Sequence, residues 1–346
     1  MRALPWLLLP LWAAQVFSGE KRCDRNPILG SMTLNRRGLH VWRARLAHRL
    51  AEARRRRLAP LVSAQDRAAF TRDGVVVKPG FASPELFARV LSELEGFAGE
   101  GWETREGDAL TRTIPLTRAS LLSLPAVREL VNSPEWRGLL RYVASFDAEP
   151  SLFVQTVFSH ARAAKPDPQT KLHMDTFHPT MKAWLYLQDV PEEAGPFLYV
   201  PGSHRRTPRR DAWERRRSIE AADPANPSAG GSYRIPRADL PRLHLPEPRP
   251  MSAPANTLIV ADTCGFHARG VSAAPGRRIA LYASCRRNPF RPWAGLNLSA
   301  PGWLEGVGWR LKWRAVGRKR VVGGRGSGSR GIVGVSAGEP PAAWAD

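Results

Sequence analysis

After Pro150 the chain breaks into short runs of β-forming residues separated by Gly and Pro, at residues 152–158, 183–187, 197–200, 257–260 and 279–284. Runs so short and so evenly punctuated exclude a helical bundle and predict a β-sandwich or jelly roll. Composition supports this, because 31 Pro and 29 Gly in 346 residues favour turns. Upstream, residues 75–77 read as a short buried strand. Residues 84–96 read as a helix with Leu86, Val90, Leu91 and Leu94 on one face, and residues 121–143 as one or two more helices. Beyond residue 300 regular patterning is lost, and the Gly-rich stretch 323–329 predicts disorder. The expected organisation is a basic segment (1–61), a mainly β domain with flanking helices (62–300), and a basic Gly-rich tail (301–346).

Charge singles out the two ends. The chain carries 52 Lys and Arg against 31 Asp and Glu, a formal net charge of +21, with 14 basic and 4 acidic residues in the first 67. This balance points to an anionic partner. The apolar run 3–17 is shorter than the roughly 20 residues a membrane span needs. It is compatible with a cleaved secretory signal, a peripheral anchor or a packed terminus. Residues 38–61 predict an amphipathic helix, with Leu39, Trp42, Leu46, Leu50 and Ala53 along one stripe and Arg43, Arg45, Arg49 and Arg54–Arg57 projecting elsewhere. Such a helix either lies on an anionic membrane or packs on the domain with a solvated basic face. Residues 1–60 are therefore a candidate peripheral membrane surface. A nucleic-acid partner is not expected, since no fold motif accompanies the charge. Cys23, Cys264 and Cys285 form no Cys-x-x-Cys pair. A disulfide framework is thus excluded, and the expected compartment is the reducing cytoplasm, with or without association with the inner face of a membrane.

The chemistry falls within the β region. In Lys171-Leu-His173-Met-Asp175, residues two apart on extended backbone share a face, so an imidazole and a carboxylate converge. His267 follows a strand-like run. Two histidines and a carboxylate make the facial set that leaves three positions open on Fe(II), two for a bidentate 2-oxo acid and one for O2. Arg278, eleven residues later, can grip the far carboxylate of an oxo-diacid. His178 is read as supporting the site or facing the substrate, His204 as a turn residue, and Arg277 as solvent-facing. The Arg-dense stretch 205–217 reads as a loop near the barrel mouth, able to receive an anionic head group or simply solvated.

His173-Met-Asp-Thr-Phe-His178, Ala183-Trp-Leu-Tyr-Leu-Gln-Asp-Val190, Gly195-Pro-Phe-Leu-Tyr-Val-Pro-Gly-Ser-His204 and Asp262-Thr-Cys-Gly-Phe-His267 with Arg278 together resemble the phytanoyl-CoA dioxygenase family over residues 64–292. The resemblance implies a double-stranded β-helix, the cupin-like jelly-roll barrel. It also implies Fe(II) held by His173, Asp175 and His267, and 2-oxoglutarate anchored by Arg278 beside Trp184. Retention of Asp175 points to hydroxylation of an unactivated C–H bond with release of succinate and CO2, since halogenating relatives replace that carboxylate. The expected substrate is a small-molecule or lipid-like compound, anionic if it meets the basic segments. Two alternatives stay open: a catalytically silent metal-binding jelly roll, and a basic membrane-associated scaffold.

Overall fold

The computed structural model describes residues 5–161, 164–223, 225–295 and 327–341. Four helices lead: α1 (Leu9–Val16), α2 (Met32–Arg36), α3 (Leu39–Leu58) and α4 (Ala64–Asp73). Strand β1 (Val75–Lys78), helix α5 (Pro84–Glu95), the hairpin β2 (Ala98–Glu106)–β3 (Ala109–Leu116), and helices α6 (Arg118–Leu122), α7 (Pro125–Asn132) and α8 (Pro134–Ala144) follow. The β region then supplies β4 (Ser151–Ser159), β5 (Met181–Tyr186), β6 (Phe197–Tyr199), helix α9 (Pro208–Glu220), β7 (Arg249–Pro250), β8 (Leu258–Asp262), β9 (His267–Arg269), β10 (Gly276–Cys285) and β11 (Ser327–Ser336). Several helices start where a hydroxyl precedes a proline. Ser83, Ser133 and Thr207 accept from the backbone N–H three residues on, and the proline at the first helical position has no N–H to orphan.

The strands form two sheets, as the jelly-roll reading requires. The larger runs β1-β8-β5-β10-β4-β3-β2-β11 with antiparallel neighbours, and the smaller runs β7-β6-β9. Alternation along the central strands gives the large sheet two unlike faces. Ala183, Leu185, Leu281, Ala283 and Val154 join Val127, Leu130, Leu139 and Val143 of α7 and α8 in the main apolar cluster. Between the sheets Tyr186, Phe197, Tyr199, Ile259 and Ala280 make a smaller one. A third cluster lies outside the smaller sheet, where Trp213 of α9 and Ala44 and Ala47 of α3 meet Met174, Phe177, Val200 and Phe266. Gly74 is left-handed (φ 79°) and faces His204, whose Nδ1 would lie 2.3 Å from an added Cβ. That close approach places the Pro201–His204 turn against α4, in keeping with a structural role for His204.

Three expectations are corrected here. First, α3 does not present all its basic side chains to solvent: Arg43, Arg54 and Arg55 are buried, whereas Arg45, Arg49, Arg56 and Arg57 are exposed, and so is Trp42. Arg54 donates to the carbonyls of Ser145, Pro289 and Arg291, and Arg55 donates to Tyr142 O and Val143 O and pairs with Asp262 at 3.0 Å. α3 thus packs on the β domain across the expected boundary at residue 61. Second, the Arg-dense stretch 205–217 contains the helix α9 rather than being a loop. Glu214, fully buried, is met by Arg206, Arg210 and His40, so two of these arginines are internal counter-ions. Third, part of the tail is ordered, since β11 pairs with β2 and Ile332 and Ala337 enter the main cluster. Of the stretch expected to be disordered, residues 323–326 lie outside the described residues. Among the described residues, no helix is long and apolar enough to cross a membrane.

Candidate metal centre

His173 and His267 face each other because their backbones do. Each donates its N–H to the other's carbonyl at 2.9 Å, forming an isolated antiparallel bridge that extends the smaller sheet beyond β9. Asp175 N donates to Thr263 O at 3.0 Å, tying the loop bearing the carboxylate to the loop before His267. Asp175 lies in a bend rather than a strand, yet its side chain shares a side with His173 while Met174 turns into the apolar cluster behind.

Hydrogen bonding at the far ring nitrogens sets both tautomers. His173 Nδ1 is 2.8 Å from Lys171 O, and His267 Nδ1 is 2.9 Å from Gly265 O. A carbonyl only accepts, so each Nδ1 carries the proton and each Nε2 lone pair is free to ligate. His173 Nε2 stands 3.9 Å from Asp175 Oδ1, and His267 Nε2 stands 3.7 Å from Asp175 Oδ2. The buried His267 Nε2 has no hydrogen-bond partner. These three residues are a group whose ligand atoms can hold one metal ion. Burial, reinforced by His267, pulls the His173 imidazole down to about 3, which keeps it neutral. Burial alone would raise the Asp175 carboxyl, but Lys182 and the two histidines outweigh it and hold it well below the usual carboxylate range. Two imidazole Nε2 atoms and a carboxylate fit a divalent cation.

The three ligand candidates open into a cavity of about 260 Å³ between the sheets. Strand alternation lines it: Lys182, Trp184 and Tyr186 from β5, and Arg278, Ala280 and Tyr282 from β10. Arg278 is half-buried, and among the described residues it makes a 3.4 Å contact to Ala194 O and no ion pair. Burial lowers its guanidinium to about 10, so it keeps its charge at neutral pH. Trp184 donates to Gln155 Oε1 at 3.3 Å and packs on Phe197, with ring centroids 4.5 Å apart. An anionic ligand suits the Arg278 end.

The sequence reading missed several residues of the site. Lys182 reaches Asp175 Oδ2 at 2.6 Å, and Lys21 Nζ donates to Asp175 O and to Ser232 Oγ, each at 2.5 Å. Lys182 lies two residues before Trp184 on one strand, so period-two reasoning would have found it. Lys21 could not be found so, because its partner is 154 residues away. The remaining wall mixes Val157, Phe197 and Ala268 with polar groups: Glu106 accepts from Gln169 Nε2 at 2.7 Å, and Arg269 donates to Thr111 Oγ1 at 3.0 Å and to Asp167 at 2.5 Å. His178 does not line this cavity. It is fully buried, shares a hydrogen bond with Pro179 O at 3.0 Å, and stacks edge-on with Phe177. Arg277 is exposed, as expected, and the three cysteines are free.

A family profile described as phytanoyl-CoA dioxygenase (PhyH) matches residues 70–254. No curated protein matches the chain. Among solved structures, the chain is similar to the non-heme α-ketoglutarate-dependent epimerase SnoN from nogalamycin biosynthesis. Identity is 20% over 65% of this chain and 82% of that one, with a TM-score of 0.42. For the carbocyclase SnoK of the same biosynthesis the values are 19%, 64%, 83% and 0.39. For HygX from Streptomyces hygroscopicus, with nickel and 2-oxoglutarate bound, they are 16%, 64%, 86% and 0.39.

Proposed function

The chain belongs to the phytanoyl-CoA dioxygenase family, and from that premise we propose that it is an Fe(II)- and 2-oxoglutarate-dependent dioxygenase that hydroxylates an unactivated C–H bond of a small-molecule substrate. The observation that carries the reading is the pairing of two unsatisfied features in one cavity. A buried, partnerless His267 Nε2 sits beside His173 and Asp175, and a cationic Arg278 without a carboxylate partner faces the same space.

His173, Asp175 and His267 would hold the iron, and Arg278 would take the C5 carboxylate of 2-oxoglutarate beside Trp184. When bound, iron with 2-oxoglutarate and O2 supplies the oxidation that converts R–H to R–OH while 2-oxoglutarate leaves as succinate and CO2. The protein's part is arrangement. Carbonyls of Lys171 and Gly265 hold the imidazoles with Nε2 inward, and the backbone bridge between the histidines fixes their separation. Lys182 holds the Asp175 carboxylate ionised. Arg278 lies on the same strand face as Ala280 and Tyr282, so an oxo-diacid would lie along β10. Glu106, Thr111, Gln155 and Gln169 offer hydrogen bonds to a substrate, and Val157, Trp184, Phe197 and Tyr282 offer it apolar and aromatic surface, which suits a small molecule carrying both polar and apolar groups.

The test is an anaerobic titration with Fe(II) and 2-oxoglutarate, following the visible charge-transfer band. The expected band is absent in His173→Ala and needs far more 2-oxoglutarate in Arg278→Ala. A well-folded protein without the band would overturn the proposal. The silent metal-binding alternative predicts no 2-oxoglutarate dependence, and the open Arg278 disfavours it.

A further inference from the structure

The N-terminal helix has a surface that the cavity chemistry does not use. Leu7, Leu9, Leu11 and Phe17 keep 53% to 56% of their surface in solvent, and Val16 is the buried residue of α1. Gln15 supplies the polar side chain of that helix, and it is occupied with Asn26. Other exposed large apolar residues, such as Leu122, Val271 and Val333, fall one at a time along the chain, whereas these cluster within eleven residues.

The apolar face runs into a basic one. Phe17 meets the exposed Trp42 edge-on at 5.7 Å between ring centroids. Trp42 in turn lines an open groove between α3 and α9, together with Arg37, Arg45, Arg49 and Arg215. Asp211 offsets Arg45 at 2.6 Å, while Arg37 and Arg49 make no ion pair among the described residues. The surface is anchored rather than dangling. Arg43, buried in α3, donates to the carbonyls of Val16, Ser18 and Glu20, which hold the end of α1 against the domain.

We infer that this continuous patch, apolar on α1 and basic along the α3–α9 groove, docks the protein peripherally on an anionic phospholipid surface. Charge complementarity selects that occupant. The leucines, Phe17 and Trp42 enter the interface, and the arginines meet the phosphates. Within residues 1–60, the docked element is α1, with α3 contributing Trp42 and arginines rather than its whole apolar stripe. The inference does not depend on the oxygenase reading.

Co-sedimentation of the full chain with vesicles tests it. Phosphatidylcholine vesicles carrying about 30% phosphatidylglycerol should pellet the protein, pure phosphatidylcholine should not, and about 0.5 M salt should weaken binding roughly tenfold. Leu9→Glu with Leu11→Glu, and separately Arg37→Glu with Arg49→Glu, should each abolish pelleting while leaving the melting temperature and the Fe(II)–2-oxoglutarate band unchanged. No pelleting of the wild type, or pelleting indifferent to both pairs, would overturn the inference. It would also fall if the wild type were a dimer by light scattering and the leucine variant a monomer, because the apolar face would then bind a second copy.

Discussion

Two buried clusters of charged groups sit on opposite sides of the smaller sheet, and they differ in what they leave open. Between α3 and α9, Glu214 is met by Arg206, Arg210 and His40, and Asp211 by Arg45 and Arg206. Each carboxylate there has its cation. In the cavity, among the described residues, His267 Nε2 has no hydrogen-bond partner and Arg278 makes no ion pair with a carboxylate. The first cluster is matched in charge, although Arg206 Nε and Arg210 Nη1 find no acceptor among the described residues, and its ion pairs are structural. The second keeps unmet capacity facing a space, which is the mark of a ligand site.

The contrast breaks most readily at Glu214. Glu214→Ala strands Arg210 in the interior, while Arg206 keeps Asp211, and should cost about 3–5 kcal/mol in urea unfolding. A loss under about 1 kcal/mol would mean the cluster is not a matched one. Arg278→Ala should do the reverse. It removes a half-buried cation that makes no ion pair among the described residues, so stability should change by less than about 1 kcal/mol, whereas 2-oxoglutarate affinity, read by the charge-transfer band, should weaken roughly 10- to 150-fold.

Acid sharpens the comparison. Burial pulls His178 and His204 down to about 3, so between about pH 6.5 and 3 the unfolded chain binds protons that the native chain excludes. Stability should be full above about pH 6.5 and fall on acidification by about 1.4 kcal/mol per pH unit for each imidazole. His204→Leu should remove one such contribution, and an unchanged slope in chemical denaturation across pH would refute it. The smallest effect is expected at Lys21. Lys21→Met loosens the Asp175 loop without touching a ligand atom, and should weaken Fe(II) binding severalfold, roughly 1 kcal/mol, in an anaerobic metal titration.

Much of the site was legible in sequence. The His173 and Asp175 side chains converge because extended backbone repeats every two residues, and this holds even though Asp175 lies in a bend. The same rule places Arg278 with Tyr282, and Trp184 with Lys182. Other signals were present but unread. Thr207-Pro208 is a helix start, and Arg210 and Glu214 are one turn apart, which marks α9 within a stretch taken for a loop. Gly107-Asp108 is a hairpin turn between β2 and β3, and Gly107 has a φ of 65°.

The sequence by itself determined the donor set, the alternation that turns one face of β5 and β10 inward, and the helix starts. All are local, because side-chain chemistry and backbone period act over a few residues. The tertiary structure alone decided which charges are buried. Arginine is an exposed residue by any local rule, and Arg54 is interior only because carbonyls 91, 235 and 237 residues away along the chain converge on it. The same long-range packing carries Lys21 to the Asp175 backbone and sets α1 and Trp42 side by side on the surface.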